Sequence, residues 1–174
     1  TNGLLQPNAA PGDVRFKDTN GDGMLNEDDK VYMGSAAPDF EYGLTFNANY
    51  KNFDLSVFVQ GTYGNKMYNG TKFLTHRTDR NTNYSTDLLD AWTPQNTDTS
   101  VPRNISGDPN GNARPSDRFL EDASYLRIKN LQLGYTLPTQ LLDNYGVSKF
   151  RVYVSFENLV TLTNYSGFDP SLNN

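Results

Sequence analysis

Residues 40–50, FEYGLTFNANY, and residues 53–63, FDLSVFVQGTY, decide the fold through their alternation. In the first run Phe40, Tyr42, Leu44, Phe46, Ala48 and Tyr50 fall on one side, and Glu41, Gly43, Thr45, Asn47 and Asn49 on the other. Period-two alternation over this length predicts a strand with one apolar face, because successive side chains of an extended chain point to opposite faces. Lys51 and Asn52 read as a tight turn. In the second run Phe53, Leu55, Val57, Val59 and Tyr63 oppose Asp54, Ser56, Gln60 and Thr62, with Phe58 as the exception. The two runs predict a long antiparallel hairpin.

Two more strands are expected towards the C-terminus. Residues 124–137, SYLRIKNLQLGYTL, alternate imperfectly, because Arg127 and Lys129 share parity with Tyr125, Leu131, Leu133 and Tyr135. Residues 149–158, KFRVYVSFEN, set Phe150, Val152, Val154 and Phe156 against Arg151, Tyr153, Ser155 and Glu157. The connection between them, LPTQLLDNYG, reads as a turn with a short helical segment. Residues 64–122 carry no such period and are rich in Asn, Asp, Thr, Gly and Pro. One short helix is expected there, Ser85 to Trp92, with Ser85 as N-cap and Pro94 closing it. Long connections therefore alternate with short ones, as in outer-membrane barrels with long external loops and short periplasmic turns. Tyr50, Phe53, Tyr63 and Tyr135 near strand ends suit the aromatic girdles of such barrels. A β-sandwich is the alternative use of the same strands.

Composition narrows the function. Aromatic residues make up 13% of the 174 residues, with eleven Tyr and ten Phe, a β-rich profile. The net charge of −5 gives no basic face for nucleic acid. Without Cys, neither a disulfide framework nor a thiolate zinc site is possible. No window approaches the roughly 18 apolar residues of a membrane helix, which leaves membrane strands open. The opening Thr-Asn-Gly reads as the start of a processed or partial chain.

The sharpest chemical signal is residues 18–29, DTNGDGMLNEDD. Asp18, Asn20 and Asp22 stand at positions one, three and five of an EF-hand-like calcium loop, with Gly23 at the sharp turn. Met24 offers a carbonyl at position seven, Asn26 stands at nine, and Asp29 takes position twelve, where the rule has Glu. The flanks Phe16-Lys17 and Val31-Tyr32 read as extended, unlike EF-hand helices. A structural Ca2+ site is expected on Asp18, Asn20, Asp22, Met24, Asn26 and Asp29. His76 is the only histidine and is expected on the loop surface, so no zinc or His-based catalytic site is expected. Glu121, Asp122, Asp39 and Asp169 read as loop or capping residues, and Trp92 as the apolar anchor of the short loop helix. No catalytic constellation appears, so the chain is not expected to be an enzyme.

Four segments in order, GDVRFKDTNGDGMLNEDDKVYMG, PDFEYGLTFNANYKNFDLSVFVQGTYGNKMYN, SDRFLEDASYLRIKNLQLGYTLP and SKFRVYVSFENLVTLTNYSGFDP, resemble the C-terminal part of the SusC/RagA family of TonB-dependent outer-membrane transporters. The resemblance implies an all-β fold: an antiparallel transmembrane β-barrel segment, part of a barrel of roughly 22 strands with long extracellular loops. Residues 1–174 would be the C-terminal portion of the barrel domain, with the calcium loop at 18–29 and an extracellular loop at 64–122. The plug domain and a final strand would lie outside this chain. The implied function is TonB-dependent import of glycan or peptide oligomers across the bacterial outer membrane. The implied partners are a SusD-like surface lipoprotein, the TonB–ExbB–ExbD complex and outer-membrane lipid. In that topology the segments 18–29, 64–122 and everything after Leu159 lie outside the cell. The face of Phe40, Leu44, Phe46, Val152 and Val154 meets lipid, and that of Glu41, Thr45, Asn47, Asp54, Ser56, Gln60 and Glu157 lines the lumen. The competing expectation is a soluble calcium-binding β-domain for carbohydrate binding or adhesion.

Overall fold

The alternating runs form a four-stranded antiparallel sheet in a computed structural model that describes residues 5–80 and 82–171. In chain order the elements are β1 (Phe40–Tyr50), β2 (Phe53–Tyr63), β3 (Lys66–Tyr68), α1 (Gly70–Thr75), β4 (Leu120–Asp122), β5 (Tyr125–Thr136) and β6 (Arg151–Thr163). The chain divides into a sheet unit, residues 35–67 with 122–174, and a loop unit, residues 1–34 with 68–121.

In the sheet unit the strand order is β1-β2-β5-β6, so each strand lies beside its neighbour along the meander. The hairpin turn is the expected Lys51-Asn52 pair, with Tyr50 opposite Phe53 and Lys51 at φ +53°. Register gathers the apolar rows on one face and leaves the other mostly polar, with Phe58 as its apolar exception opposite Thr45 and Asn130. Leu44, Val59, Ile128 and Val160 lie in one row, and Phe46, Val57, Leu131 and Phe156 in another. The opposite face carries Asn47, Ser56, Gln132 and Ser155 across the same strands. Among the described residues, no strand pairs with the outer edge of β1 or of β6.

The imperfect alternation of the third strand has a local cause. The register shifts between Ile128 and Asn130, so Lys129 is an extra residue. A bulge of this kind resets parity. Arg127 stands opposite Gln60 and Thr161 on the polar face, while Leu126 and Ile128 join the apolar one. The expected shared face of Arg127 with Leu131 and Leu133 is thus corrected. Strand β6 is interrupted at the same level, where Asn158 takes φ +50°, and it runs on to Thr163. Residues 159–163 are therefore strand, not the start of a loop.

Glycines on this sheet make room for side chains that cross strands. A Cβ at Gly61 would strike the Tyr42 ring, which lies over it and donates its hydroxyl to the Tyr125 carbonyl at 3.1 Å. A Cβ at Gly134 would strike the Asp54–Arg151 pair, in which Nε reaches Oδ1 at 3.0 Å across β5. Aromatic pairs stand at the two ends of the apolar face: Phe40 with Tyr63, centroids 5.3 Å apart, and Phe53 with Tyr135, 4.7 Å apart.

The loop unit is more ordered than its composition predicts. Phe119 is fully buried (0% exposed), with Phe73 edge-on at 5.4 Å and Tyr68 at 6.0 Å. Asn69 caps α1 by accepting from the Lys72 N–H at 2.9 Å, and its own N–H donates to the Phe119 carbonyl at 2.7 Å. Lys72 in turn pairs with Glu121 at 3.0 Å. Helix α1 is not expected from the sequence, because it is short, aperiodic and opens on Gly. The helix expected at Ser85–Trp92 is a 3-10 turn, Thr86–Asp90, with Ser85 as its cap, accepting from Asp87 N–H at 3.2 Å. Trp92 lies against Gly12, whose φ of +87° and lack of Cβ admit the indole. Among the described residues no helix is long and apolar enough to cross a membrane.

Candidate functional site

Residues 18–29 wrap around their own carboxylates. Asp18 accepts from Gly21 N–H at 2.6 Å and from Gly23 N–H at 2.9 Å, which draws the chain into a tight ring. Both glycines take positive φ, +78° and +80°, the left-handed conformation that other residues resist. Asn20 and Asp22 make the next two side-chain turns, accepting from Asp22 N–H at 2.9 Å and Met24 N–H at 2.8 Å. The amide of Asn20 donates to Asp22 Oδ2 at 3.1 Å and that of Asn26 to the same oxygen at 3.5 Å, so these three side chains converge. Asp29 closes the ring: one carboxylate oxygen accepts from Thr19 N–H at 2.7 Å and the other from Asn26 N–H at 2.9 Å. The Asn26 N–H, and next the Thr19 N–H, hold the Asp29 carboxyl below its ordinary value.

Asp18, Asp22, Asp29, the amide oxygens of Asn20 and Asn26 and the Met24 carbonyl are all oxygen donors within one short segment, though the three carboxylates do not gather at one point. Such a set suits a hard cation taking about six to eight oxygens. The geometry also shows what Asp at the twelfth position does. Its short side chain ties the loop ends together by backbone hydrogen bonds. Its Oδ1 also accepts from the Thr19 hydroxyl at 3.4 Å, so that oxygen is committed to the loop itself. Among the described residues, no group of three or more His, Cys, Asp and Glu side chains gathers as a metal centre, so the candidate site rests on the amide and carbonyl oxygens as well.

The segment that leads into this loop is fixed by a buried polar network invisible in the sequence. The Asp13 side chain is 1% exposed and accepts from Arg103 Nε at 2.6 Å, Asn112 Nδ2 at 2.8 Å and Ala10 N–H at 2.9 Å. Burial alone would raise its carboxyl, but these donors and the Arg103 charge together hold it below the ordinary range. Asn112 also accepts from Val14 N–H at 2.9 Å, and Gln6 accepts from Phe16 N–H at 2.8 Å. Because the Asp13 side chain and Asn112 are buried, deleting one of their partners strands a buried group.

The remaining candidates resolve into structural roles, with one correction. Glu121 pairs with Lys72, and Asp122 accepts from Ser124 N–H at 2.8 Å. Asp169 and Ser171 receive the Arg127 guanidinium at 2.6 and 3.1 Å, which pins the segment after β6 to the polar face of the sheet. His76, expected at the surface, is 6% exposed and lies between Asp87 and Arg118.

No family profile matches the chain. Curated relatives do. A TonB-dependent receptor of Formosa agariphila is 37% identical over 169 residues, 97% of this chain and 16% of that protein. The TonB-dependent receptor SusC of Bacteroides thetaiotaomicron is 31% identical over 174 residues, 97% of this chain and again 16% of the relative. Among solved structures, the RagAB peptide transporter superposes with a TM-score of 0.72 at 32% identity, covering 85% of this chain and 16% of that one. This chain therefore spans only a small part of the length of the receptors it matches. In sequence and in backbone, the chain belongs to the SusC/RagA-type TonB-dependent receptors.

Proposed function

We propose that this chain is wall and external loop of an outer-membrane β-barrel that imports nutrient oligomers by a TonB-dependent route. The observation that carries this reading is the two-faced sheet. On the outer strands β1 and β6 the Phe and aliphatic side chains of one face stay between 43% (Val160) and 67% (Leu44) exposed, those of the central strands, such as Val57 and Ile128, are half-buried beside them, and together they form one continuous surface between two aromatic ends. A sandwich core would bury that face, and a water-soluble domain rarely leaves so wide an apolar patch uncovered. Lipid on one side and an aqueous lumen on the other suit both faces at once. The open edges of β1 and β6 would pair with further strands in a barrel of roughly 22 strands.

In this reading residues 18–29 and 64–122 face the outside, and the loop 18–29 holds a structural Ca2+ on Asp18, Asn20, Asp22, Met24, Asn26 and Asp29. The cargo is a peptide or glycan oligomer. A SusD-like lipoprotein covers the barrel, and TonB–ExbB–ExbD supplies the energy. The likeness to a peptide transporter and to SusC supports this class of cargo and assembly.

These 174 residues hold no Cys, so cysteines introduced among them, in a full-length receptor with any Cys elsewhere replaced, give a direct test. Single cysteines are placed in the full-length receptor at Val57 and Val154 on the apolar face, and at Ser56 and Gln132 on the polar face. In bilayers a water-soluble maleimide should label the second pair and spare the first; equal labelling of all four would refute the wall assignment. For the metal, calorimetric titration of the full-length receptor should show Ca2+ binding that Asp18→Ala combined with Asp22→Ala abolishes. Binding that survives both substitutions would move the site elsewhere.

A further inference from the structure

His76 belongs neither to the calcium-type loop nor to the sheet, yet both of its ring nitrogens are committed. Nδ1 lies 2.9 Å from an Arg118 guanidinium nitrogen and Nε2 lies 3.0 Å from Asp87 Oδ2. A guanidinium has donors only, so Nδ1 must present its lone pair, and the single proton of the ring sits on Nε2 and is donated to Asp87. A second proton on this imidazole would have to go on Nδ1. It would point a donor at a donor and set a cation against Arg118, in a site with little water to screen the pair. Among the described residues no carboxylate makes an ion pair with Arg118, whose guanidinium also lies over the Phe119 ring at 5.1 Å. The neutral imidazole is thus the lone-pair partner that Arg118 has here.

We propose that His76 is a proton-operated latch of the loop unit: protonation expels Arg118 and frees the 86–90 and 117–119 turns from the C-terminal end of α1. The charged groups around it come from every adjoining element. Lys72 on α1 and Arg118 on the 117–119 turn oppose a second proton, and Asp87 on the 86–90 turn favours one. Arg103 and Asp108 border the same small cavity, and the Asp108 charge acts on Arg118. Burial outweighs the Asp87 hydrogen bond and holds His76 below its ordinary value. The sign follows from linkage. An unfolded or opened His76 takes its proton first as pH falls through about 6.5. The latch is therefore fully closed above that pH and loses stability as pH falls from there towards the lower folded-state value. The peptide hydrogen bond from Ser85 N–H to the Thr75 carbonyl, 3.0 Å, is the local bond whose protection should report opening.

The test is hydrogen exchange of the full-length receptor in detergent, read as protection factors at about pH 7.5 and about pH 5, either side of the ordinary imidazole range. Peptides covering residues 72–91 and 117–119 should lose protection severalfold at the lower pH, because the opened state takes up a proton that the closed state resists. Peptides from β1 and β2 should not change. His76→Gln keeps a donor and an acceptor but cannot titrate, and it should remove the pH dependence. Arg118→Met removes the opposing cation, and the imidazole resonance of His76 should then titrate at higher pH. That second measurement decides the matter if His76→Gln does not fold. The latch is overturned if the wild type shows no acid-dependent loss, if His76→Gln shows the same loss, or if Arg118→Met leaves the His76 titration where it was.

Discussion

The sheet unit and the loop unit are ordered by different physics. In the sheet, order comes from a repeating backbone ladder and a period-two pattern, and large apolar side chains of one face remain exposed on the outer strands and half-buried on the central ones. In the loop unit there is no repeat. Order comes from side chains that bond backbone and side-chain groups far away in sequence, and from one small aromatic core around Phe119. The sheet spends its apolar residues on a surface, whereas the loop unit buries polar ones, with Asn69, His76, Asn110 and Asn112 all under a tenth exposed. A ladder tolerates an exposed apolar face if a non-aqueous medium covers it. A buried polar network tolerates no missing partner, because each stranded group keeps its full desolvation penalty. The two regions should therefore fail under different insults.

The largest effect is expected from Phe119→Ala, about 3–5 kcal/mol for an aromatic truncated in a filled core. Proteolysis of the full-length receptor should then cut within residues 68–121 while the strands stay protected. Strands that lose protection as well would break the contrast between the two regions. Next comes Val154→Arg on the apolar face, which should cost about 2–4 kcal/mol of folding in a bilayer. Its chain neighbour Ser155→Arg, on the polar face, should cost little. Equal costs in equilibrium refolding would show that the faces are not differently solvated. The smallest of the three is Asp13→Asn, about 2 kcal/mol, for weakening a charge-assisted hydrogen bond. Because the folded-state carboxyl of Asp13 is depressed, its contribution is complete above its ordinary value near 3.9 and is lost as pH falls through the lower folded value. Acid titration of loop-unit stability should lose that component in the variant, sharpening the claim that polar pairing holds this region.

The sequence by itself determined the hairpin, its turn and the division of β1 and β2 into faces. The side-chain period of a strand is local, and each residue announces its face through its neighbours at two and four positions. It also marked the calcium-type loop, whose turns are made by residues at most a few positions apart, as Asp18 with Gly21 and Gly23 show. The N-cap Ser85 was legible for the same reason, although the helix behind it is only a 3-10 turn.

What only the tertiary structure decided lies where partners are far apart or where the pattern slips. The bulge at Lys129 appears when β5 is laid against its neighbours, since an extra residue has meaning only relative to a partner strand. It moved Arg127 to the polar face, where it meets Thr161 and Asp169. Asp13 and Arg103 are 90 positions apart, and Val14 and Asn112 98 apart, so no window of sequence contains the pair. His76 carries the same lesson. A lone histidine in a polar stretch reads as surface, and only the fold could bring it between a carboxylate and a guanidinium. Local periodicity set the two faces of the sheet; long-range hydrogen bonding and the packing around Phe119, which leave no periodic trace, set what ties distant parts of the loops together.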